Sequence, residues 1–371
     1  MLPILLTLAC TGADPEGLTL HADPQSGPLP LTVTFSATGA GADVAVWDFG
    51  DGATATGANV EHTFLGSGGF LVTVREQASD DIAGQGPIEV LPGVCPGDGV
   101  DEVMGQVDSL AIDEASGLVA SQLNPGVLWT HNDSGDTPRF FALDETGALL
   151  AIVNLLDVYK GDWEDMALAR NPDTDAWQLV AGNVGDNSHD RDDVHIHFID
   201  EPAITPGQDF EELDIAALTI HVTYPDGEML DCESIMVDPI TQDLYLVTKD
   251  YDGPAGVYRK SPPHEHESTT ELELVKQLDF SVEPLSGRAT TGADWSVTGD
   301  RAVIRTYGLW VYMWRRDQSE PVDAMWDGEP CELRMPAEQQ SESIAFTADN
   351  SGLWSLSEGE FQPLNQLRFT D

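Results

Sequence analysis

The sequence predicts an all-β protein in two parts, a small sandwich followed by a larger array of repeated β units. Three observations carry this reading. Short runs alternating apolar and polar residues recur along the chain, which is the period-two pattern of half-buried strands. The chain holds 35 glycines and 23 prolines, as many short strands and tight turns require. Helical periodicity is weak throughout.

With 371 residues, and roughly 150 residues per domain, two or three domains are expected. An apolar content of 41% suffices for a large core. Lys and Arg number 16 against 65 Asp and Glu, a formal net charge of −49. Such a chain repels nucleic-acid phosphates and anionic lipid headgroups, so neither is an expected partner. It suits an exported protein, or one that holds cations. A saline habitat would also tolerate this charge, because salt screens self-repulsion.

Residues 1–9 are uncharged and mostly apolar, too short to span a bilayer, and read as the end of an export signal. Cys10 follows Ala9 and precedes Thr11-Gly12-Ala13-Asp14-Pro15. This resembles a bacterial lipoprotein signal, which implies a lipid on Cys10, a tether over 1–15 and a place in the cell envelope. An exported chain permits a disulfide. Cys95 and Cys331 each lie beside a proline in a connector and are expected to pair, with Cys232 left free. No zinc-type CxxC spacing is present.

Residues 16–92 form the first domain. Strand-like runs at 18–22, 31–37, 44–49, 60–64, 70–74 and 87–91 read as a small β-sandwich. Trp47-Asp48-Phe49-Gly50-Asp51-Gly52, then His62-Thr63-Phe64, then Gly69-Phe70-Leu71-Val72-Thr73-Val74, closely resemble the PKD domain. The resemblance implies an immunoglobulin-like sandwich serving as a spacer, or as a protein- or sugar-contacting module, and not a catalyst. Asp48 and Asp51 read as turn-stabilising acceptors rather than as a metal pair.

A linker is expected over 93–102. Residues 103–371 then carry internal repeats. Glu114-Ala115-Ser116-Gly117-Leu118, Glu164-Asp165-Met166-Ala167-Leu168, Glu233-Ser234-Ile235-Met236-Val237 and Glu342-Ser343-Ile344-Ala345-Phe346 each start a unit. Ala293-Asp294-Trp295-Ser296-Val297 aligns as a further unit, with Ala293 at the glutamate position and Asp294 level with Asp165. Each unit continues through a polar turn into a second strand ending in polar residues. The spacing predicts a five-bladed β-propeller, with strands from both chain ends closing the last blade and Val103–Ile112 supplying the closing strand. The extra strand at Leu218–Val222 keeps a six-bladed count open. Trp129-Thr130-His131-Asn132-Asp133-Ser134-Gly135-Asp136 and Asp162-Trp163-Glu164-Asp165 resemble a group of uncharacterised exported bacterial propellers. They are more distantly similar to calcium-dependent propellers of the phytase and lactonase kind.

First strands line the channel of such a fold, so Glu114, Glu164, Glu233 and Glu342 are expected around one mouth, flanked by Asp165 and Asp294. Asn132, Asp133, Asp186 and Asn187 end second strands and are expected at the same rim. Converging carboxylates raise one another's pKa, and a hard divalent cation removes that cost. Calcium, with its 6–8 oxygen ligands, is the expected cofactor. The alternative is that these side chains cap backbone amides or lie on solvated loops. Lys249 and Arg305, scarce cations at second-strand ends, are expected either to pair with the glutamates or to contact an anionic ligand; Lys160 is a third scarce cation. His195 and His197 read as outer-strand packing, and His264-Glu265-His266-Glu267 as a solvated turn. No nucleophile elbow, zinc-protease, phosphate-loop or dinucleotide motif is present. The leading expectation is a calcium-binding envelope protein with a small-molecule, glycan or protein ligand at its channel mouth. The competing one is a metal-dependent phosphoester or lactone hydrolase using Glu164 or Asp165 as general base.

Overall fold

A computed structural model describes residues 18–28, 31–64, 68–77, 81–91, 95–96, 99–204, 210–280, 287–316 and 321–370. Cys10 and the export segment lie outside the described residues. Two compact units are present, one of residues 1–94 with 316–321 and one of residues 95–315 with 322–371.

The first unit comprises β1 (Thr19–Asp23), β2 (Ser26–Pro28), β3 (Leu31–Thr38), β4 (Ala45–Asp48), β5 (Thr54–Thr56), β6 (Asn59–Phe64), β7 (Gly68–Glu76) and β8 (Ile82–Leu91). They form two sheets, β1-β3-β6 and β2-β8-β7-β4-β5. Alternate residues of β3 are buried, so Val33 and Phe35 join Trp47, Phe49 and Phe64 in one core. The Trp47 indole N–H donates to the Gly57 carbonyl (2.8 Å), which satisfies its one polar atom. Asp48 and Asp51 accept the backbone N–H groups of Gly50 (2.9 Å) and Ala53 (3.0 Å). Gly50 and Gly52 take positive φ in this turn.

The second unit is all β apart from short helical turns. It opens with β9 (Val100–Gln106). A first sheet follows from β10 (Ala115–Ala120), β11 (Val127–Asn132), β12 (Arg139–Asp144) and β13 (Leu149–Leu156). The second sheet begins with β14 (Trp163–Arg170), β15 (Trp177–Asn183) and β16 (Val194–Asp200). The chain then returns, and β17 (Glu211–Ala216) adds parallel to β13 at the outer edge of the first sheet. β18 (Leu218–Thr223) continues the second sheet against β16, so the additional strand extends existing sheets. The third sheet is β19 (Cys232–Val237), β20 (Leu244–Thr248), β21 (Ala255–Lys260) and, two strands later, β23 (Glu273–Leu278); β22 (Thr269–Glu271) pairs with β18. The fourth is β24 (Thr290–Trp295), β25 (Arg301–Thr306), β26 (Trp310–Arg315) and β27 (Cys331–Arg334). The fifth is β28 (Ser341–Phe346), β29 (Gly352–Ser357) and β30 (Pro363–Arg368), completed by β9. That completing strand begins at Val100, inside the stretch expected as linker, and ends at Gln106 rather than reaching Ile112. A disulfide joins Cys95, just ahead of β9, to Cys331 on β27; Cys232 is free and buried.

The first strands of the five sheets pack on one another. β10 lies against β14 and β28, β14 against β19, β19 against β24, and β24 against β28. Most of their residues are buried, so they read as continuous runs rather than as alternating ones. Their close approach demands small residues. A Cβ on Gly117 would come within 2.6 Å of the Met166 nitrogen, and one on Gly292 within 2.7 Å of the Glu342 carbonyl.

One buried carboxylate ties these strands together. Asp165 accepts backbone N–H groups from Met166 (2.8 Å), Ile235 (2.9 Å) and Ala293 (3.0 Å), joining β14, β19 and β24. Asp294 accepts from Phe346 (2.7 Å) and ties β24 to β28. Asp165→Asn keeps the shape but turns one acceptor into a donor. It should cost about 1–3 kcal/mol for each amide left unpaired, read as a lower urea midpoint. An unchanged midpoint would remove Asp165 from the framework of the fold.

Candidate functional site: a buried carboxylate cluster

Each first strand carries a β-bulge at the same end. Between paired residues, the extra position is Glu164 in β14, Glu233 in β19, Thr291 in β24 and Glu342 in β28. In β10 the shift spans Ser116 and Gly117. The hydroxyl members turn to a neighbouring strand: Ser116 donates to the Glu164 carbonyl and Thr291 to the Ser341 carbonyl (2.7 Å). This register corrects the repeat alignment. Thr291, not Ala293, stands with the glutamates, and Glu114 lies just ahead of its strand, exposed.

The three glutamates converge with acids from the strand ends. Oxygens of Asp133, Asp162 and Glu164 lie within 4.8 Å of one another. Burial pushes the Glu164 carboxyl well above its usual range, and Glu233, Asp133, Asp162 and Asp231 push it further. Burial likewise drives Glu233 up to about 7, against the pull of Lys249. Burial, then Glu233 and Glu358, drive Glu342 up to about 8. Asp133 and Asp162 are also raised, chiefly by burial. Glu342 is only 3% exposed, and its Oε1 has no hydrogen-bond partner. Gly185 makes room for the group, because a Cβ there would overlap Glu164 Oε1 and lie 2.6 Å from Asp162 Oδ2.

Two lysines frame the cluster. Lys160 donates to the carbonyls of Asn132 (2.7 Å) and Asp133 (2.8 Å) and sits 4.6 Å from the Trp163 ring centroid. Burial lowers it to about 8. Lys249 pairs with Glu233 and lies near the Tyr307 hydroxyl (3.4 Å). A recess of about 340 Å³ opens beside the cluster, lined by Asn187, Asp231, Lys249 and Tyr251 among others. A larger recess of about 510 Å³ lies at the opposite strand ends, near Ala120, Val127 and Thr347, away from these carboxylates.

Several expected site residues are otherwise engaged. Asp165 spends three of its roughly four acceptor sites on backbone amides, and Asp294 accepts the Phe346 N–H, so both carboxylates are engaged in holding strands together. Asn132 accepts from the Glu114 N–H and donates to Ala111 and Asp136. Asp186 caps its own turn through the N–H groups of Asp190 (3.0 Å) and Arg191 (3.1 Å). Arg305 is buried against Glu338 (2.6 Å) and donates to the Ser343 carbonyl, so no anion reaches it. Asp162, Asp231 and Glu358 were not among the expected residues. The sequence carried a signal for the first two, since Asp162-Trp163-Glu164 and Asp231-Cys232-Glu233 share an Asp-x-Glu pattern at two strand starts.

Comparison with known proteins bears on the first unit. Residues 17–83 match the PKD domain family. The PKD match accounts for the sandwich and its Trp47 core. No curated protein matches the chain. Among solved structures, a Bacteroides thetaiotaomicron protein of unknown function is 12% identical at a TM-score of 0.42, covering 97% of this chain and 100% of that one. The periplasmic gluconolactonase PpgL of Pseudomonas aeruginosa is 11% identical at a TM-score of 0.33, covering 56% of this chain and 58% of that one. At these scores neither says what this chain binds or does. Among the described residues no helix is long and apolar enough to cross a membrane.

The raised carboxyls set a pH dependence. Glu233 and Glu342 sit near 7 and 8 when folded, against 4.5 ordinarily, so the folded state holds more protons between these values. Stability in chelator should therefore be full near pH 4.5 and fall as pH rises to about 8. Urea midpoints between pH 5 and 8.5 measure this. Glu342→Gln should flatten the slope.

Proposed function

We propose that residues 100–370 form a closed five-bladed β-propeller holding a calcium ion at the carboxylate cluster, on an exported, lipid-anchored protein whose PKD domain acts as a spacer. Closure is supported by the cyclic packing of β10, β14, β19, β24 and β28, and by β9 completing the sheet of the last strands. The observation that carries the cation is the convergence of Asp133, Asp162 and Glu164 oxygens within 4.8 Å. Calcium–oxygen distances are about 2.3–2.6 Å, so oxygens on opposite sides of one ion stand about this far apart. Asp133, Asp162 and Glu164 would hold the ion, with Glu233 kept in place by Lys249. A bound calcium would offset the carboxylate repulsion and present positive charge toward the recess beside Tyr251. That suits a small-molecule, glycan or protein ligand bearing an oxygen anion.

Calorimetric titration of the chelator-treated full chain should show about one calcium bound, with magnesium weaker. Glu164→Gln should weaken calcium at least about tenfold, because a carboxylate ligand becomes a neutral amide. No saturable heat, with a melting temperature unmoved by chelator, would leave the cluster purely structural.

The acidic composition, the disulfide and the PKD match support export. The anchor rests on Cys10 and the apolar run before it. Cys10→Ser should move the protein from the membrane fraction to the soluble one. Unchanged fractionation would sink the anchor.

A further inference from the structure

A second group of ligand-type side chains lies on the outer strands of the second sheet. His195 on β16 and His221 on β18 stand directly opposite each other in the antiparallel register. Opposed residues on such strands are close neighbours, and these two ring centroids are 4.3 Å apart. Asp193, two residues before His195, reaches both. Its Oδ2 lies 2.9 Å from His221 Nδ1 and its Oδ1 lies 3.4 Å from His195 Nε2. One ligand atom from each of the three lies within 4.8 Å of the others. The other nitrogen of His221, Nε2, has the Glu267 carboxylate 3.7 Å away. All three side chains remain partly open to solvent.

The geometry points to a two-histidine, one-carboxylate site for a borderline divalent transition metal, with zinc as the type ion and Asp193, His195 and His221 as ligands. Imidazole nitrogen selects this class of ion over calcium, which takes oxygen. Zinc–nitrogen and zinc–oxygen distances are about 2.0–2.2 Å, so ligand atoms around one ion stand roughly 3–3.5 Å apart. The Asp193 oxygens already stand at 2.9 and 3.4 Å from the ring nitrogens. The Glu267 carboxylate stands 3.7 Å behind His221, close enough to accept its Nε2–H after a small side-chain shift and so fix the tautomer of a metal-bound imidazole. Paired strands hold both rings, so little ordering is needed on binding. The neighbouring histidines are engaged elsewhere. His197 is buried with Nδ1 at 2.9 Å from the Thr219 hydroxyl, and His266 Nδ1 accepts the Thr219 N–H (3.1 Å). Three protein ligands leave the remaining positions to water or to a donor from another molecule.

The test is a calorimetric titration of the full chain, stripped with chelator and then saturated with calcium, using zinc chloride as the probe. One zinc per chain is expected, with His195→Ala and His221→Ala each weakening it at least tenfold while the melting temperature in chelator stays unchanged. Glu267→Gln should weaken it about 10–100-fold. Cobalt in place of zinc should give a visible absorption band that His221→Ala removes. Glu233→Gln should leave the zinc isotherm unaltered, which separates this site from the carboxylate cluster. Zinc binding that survives both histidine substitutions, or no saturable binding at all, would overturn the site and leave Asp193 a simple hydrogen-bond acceptor for two rings.

Discussion

The second unit depends on backbone amides that face inward at the packed first strands. These strands pack on one another with most residues buried, and their free N–H groups need acceptors. Asp165 supplies one for three strands at once, and Asp294 extends the tie to a fourth. Burial pushes the Asp165 carboxyl well above its usual range, while the three amides pull the other way. The small residues beside it follow from the same crowding. Gly117 and Gly292 stand where a side chain would strike a neighbouring strand. The all-β composition is thus only the outer condition. The inner contact is an exchange between one carboxylate and several strands.

The bulges convert that framework into a site. A bulge leaves one residue outside the ladder and re-aims its side chain. In β14, β19 and β28 that residue is a glutamate, and the three acids turn toward one region. Where the residue is Ser116 or Thr291, its hydroxyl is used to hold the next strand. The same backbone device therefore serves cohesion in some sheets and charge concentration in others. Lys249 neutralises part of that charge through Glu233, and Lys160 is spent on two carbonyls, so each reaches Glu342 or Glu164 only as a nearby charge and not as a paired one. The imbalance is local and buried, unlike the rest of a chain whose acidity is spread over its surface.

Two kinds of ligand chemistry are segregated by position in the second sheet. Its first strand, β14, contributes the oxygen-rich cluster through Glu164, whereas the outer strands β16 and β18 carry the imidazoles. Oxygen clusters and imidazole pairs prefer different cations, so the two proposed sites on this sheet would not compete for one ion.

Much of this was legible in the sequence. The period-two runs and the turn residues determine an all-β chain, because alternation is what a half-buried strand requires. The Trp47, Gly50-Asp51-Gly52 and His62 pattern determines the sandwich. The recurring glutamates determine that acids gather at strand starts. Tertiary structure decided the rest. Bulges are invisible to residue spacing, so Thr291 rather than Ala293 stands level with Glu233, and Glu114 falls ahead of its strand. Whether an acid is free or engaged depends on amides from strands far away in the chain. Asp165 meets Ala293 across 128 positions, and that contact separates it from its neighbour Glu164. His195 and His221 likewise become a pair only through strand register, since they stand 26 positions apart along the chain and nothing in either local pattern announces the other.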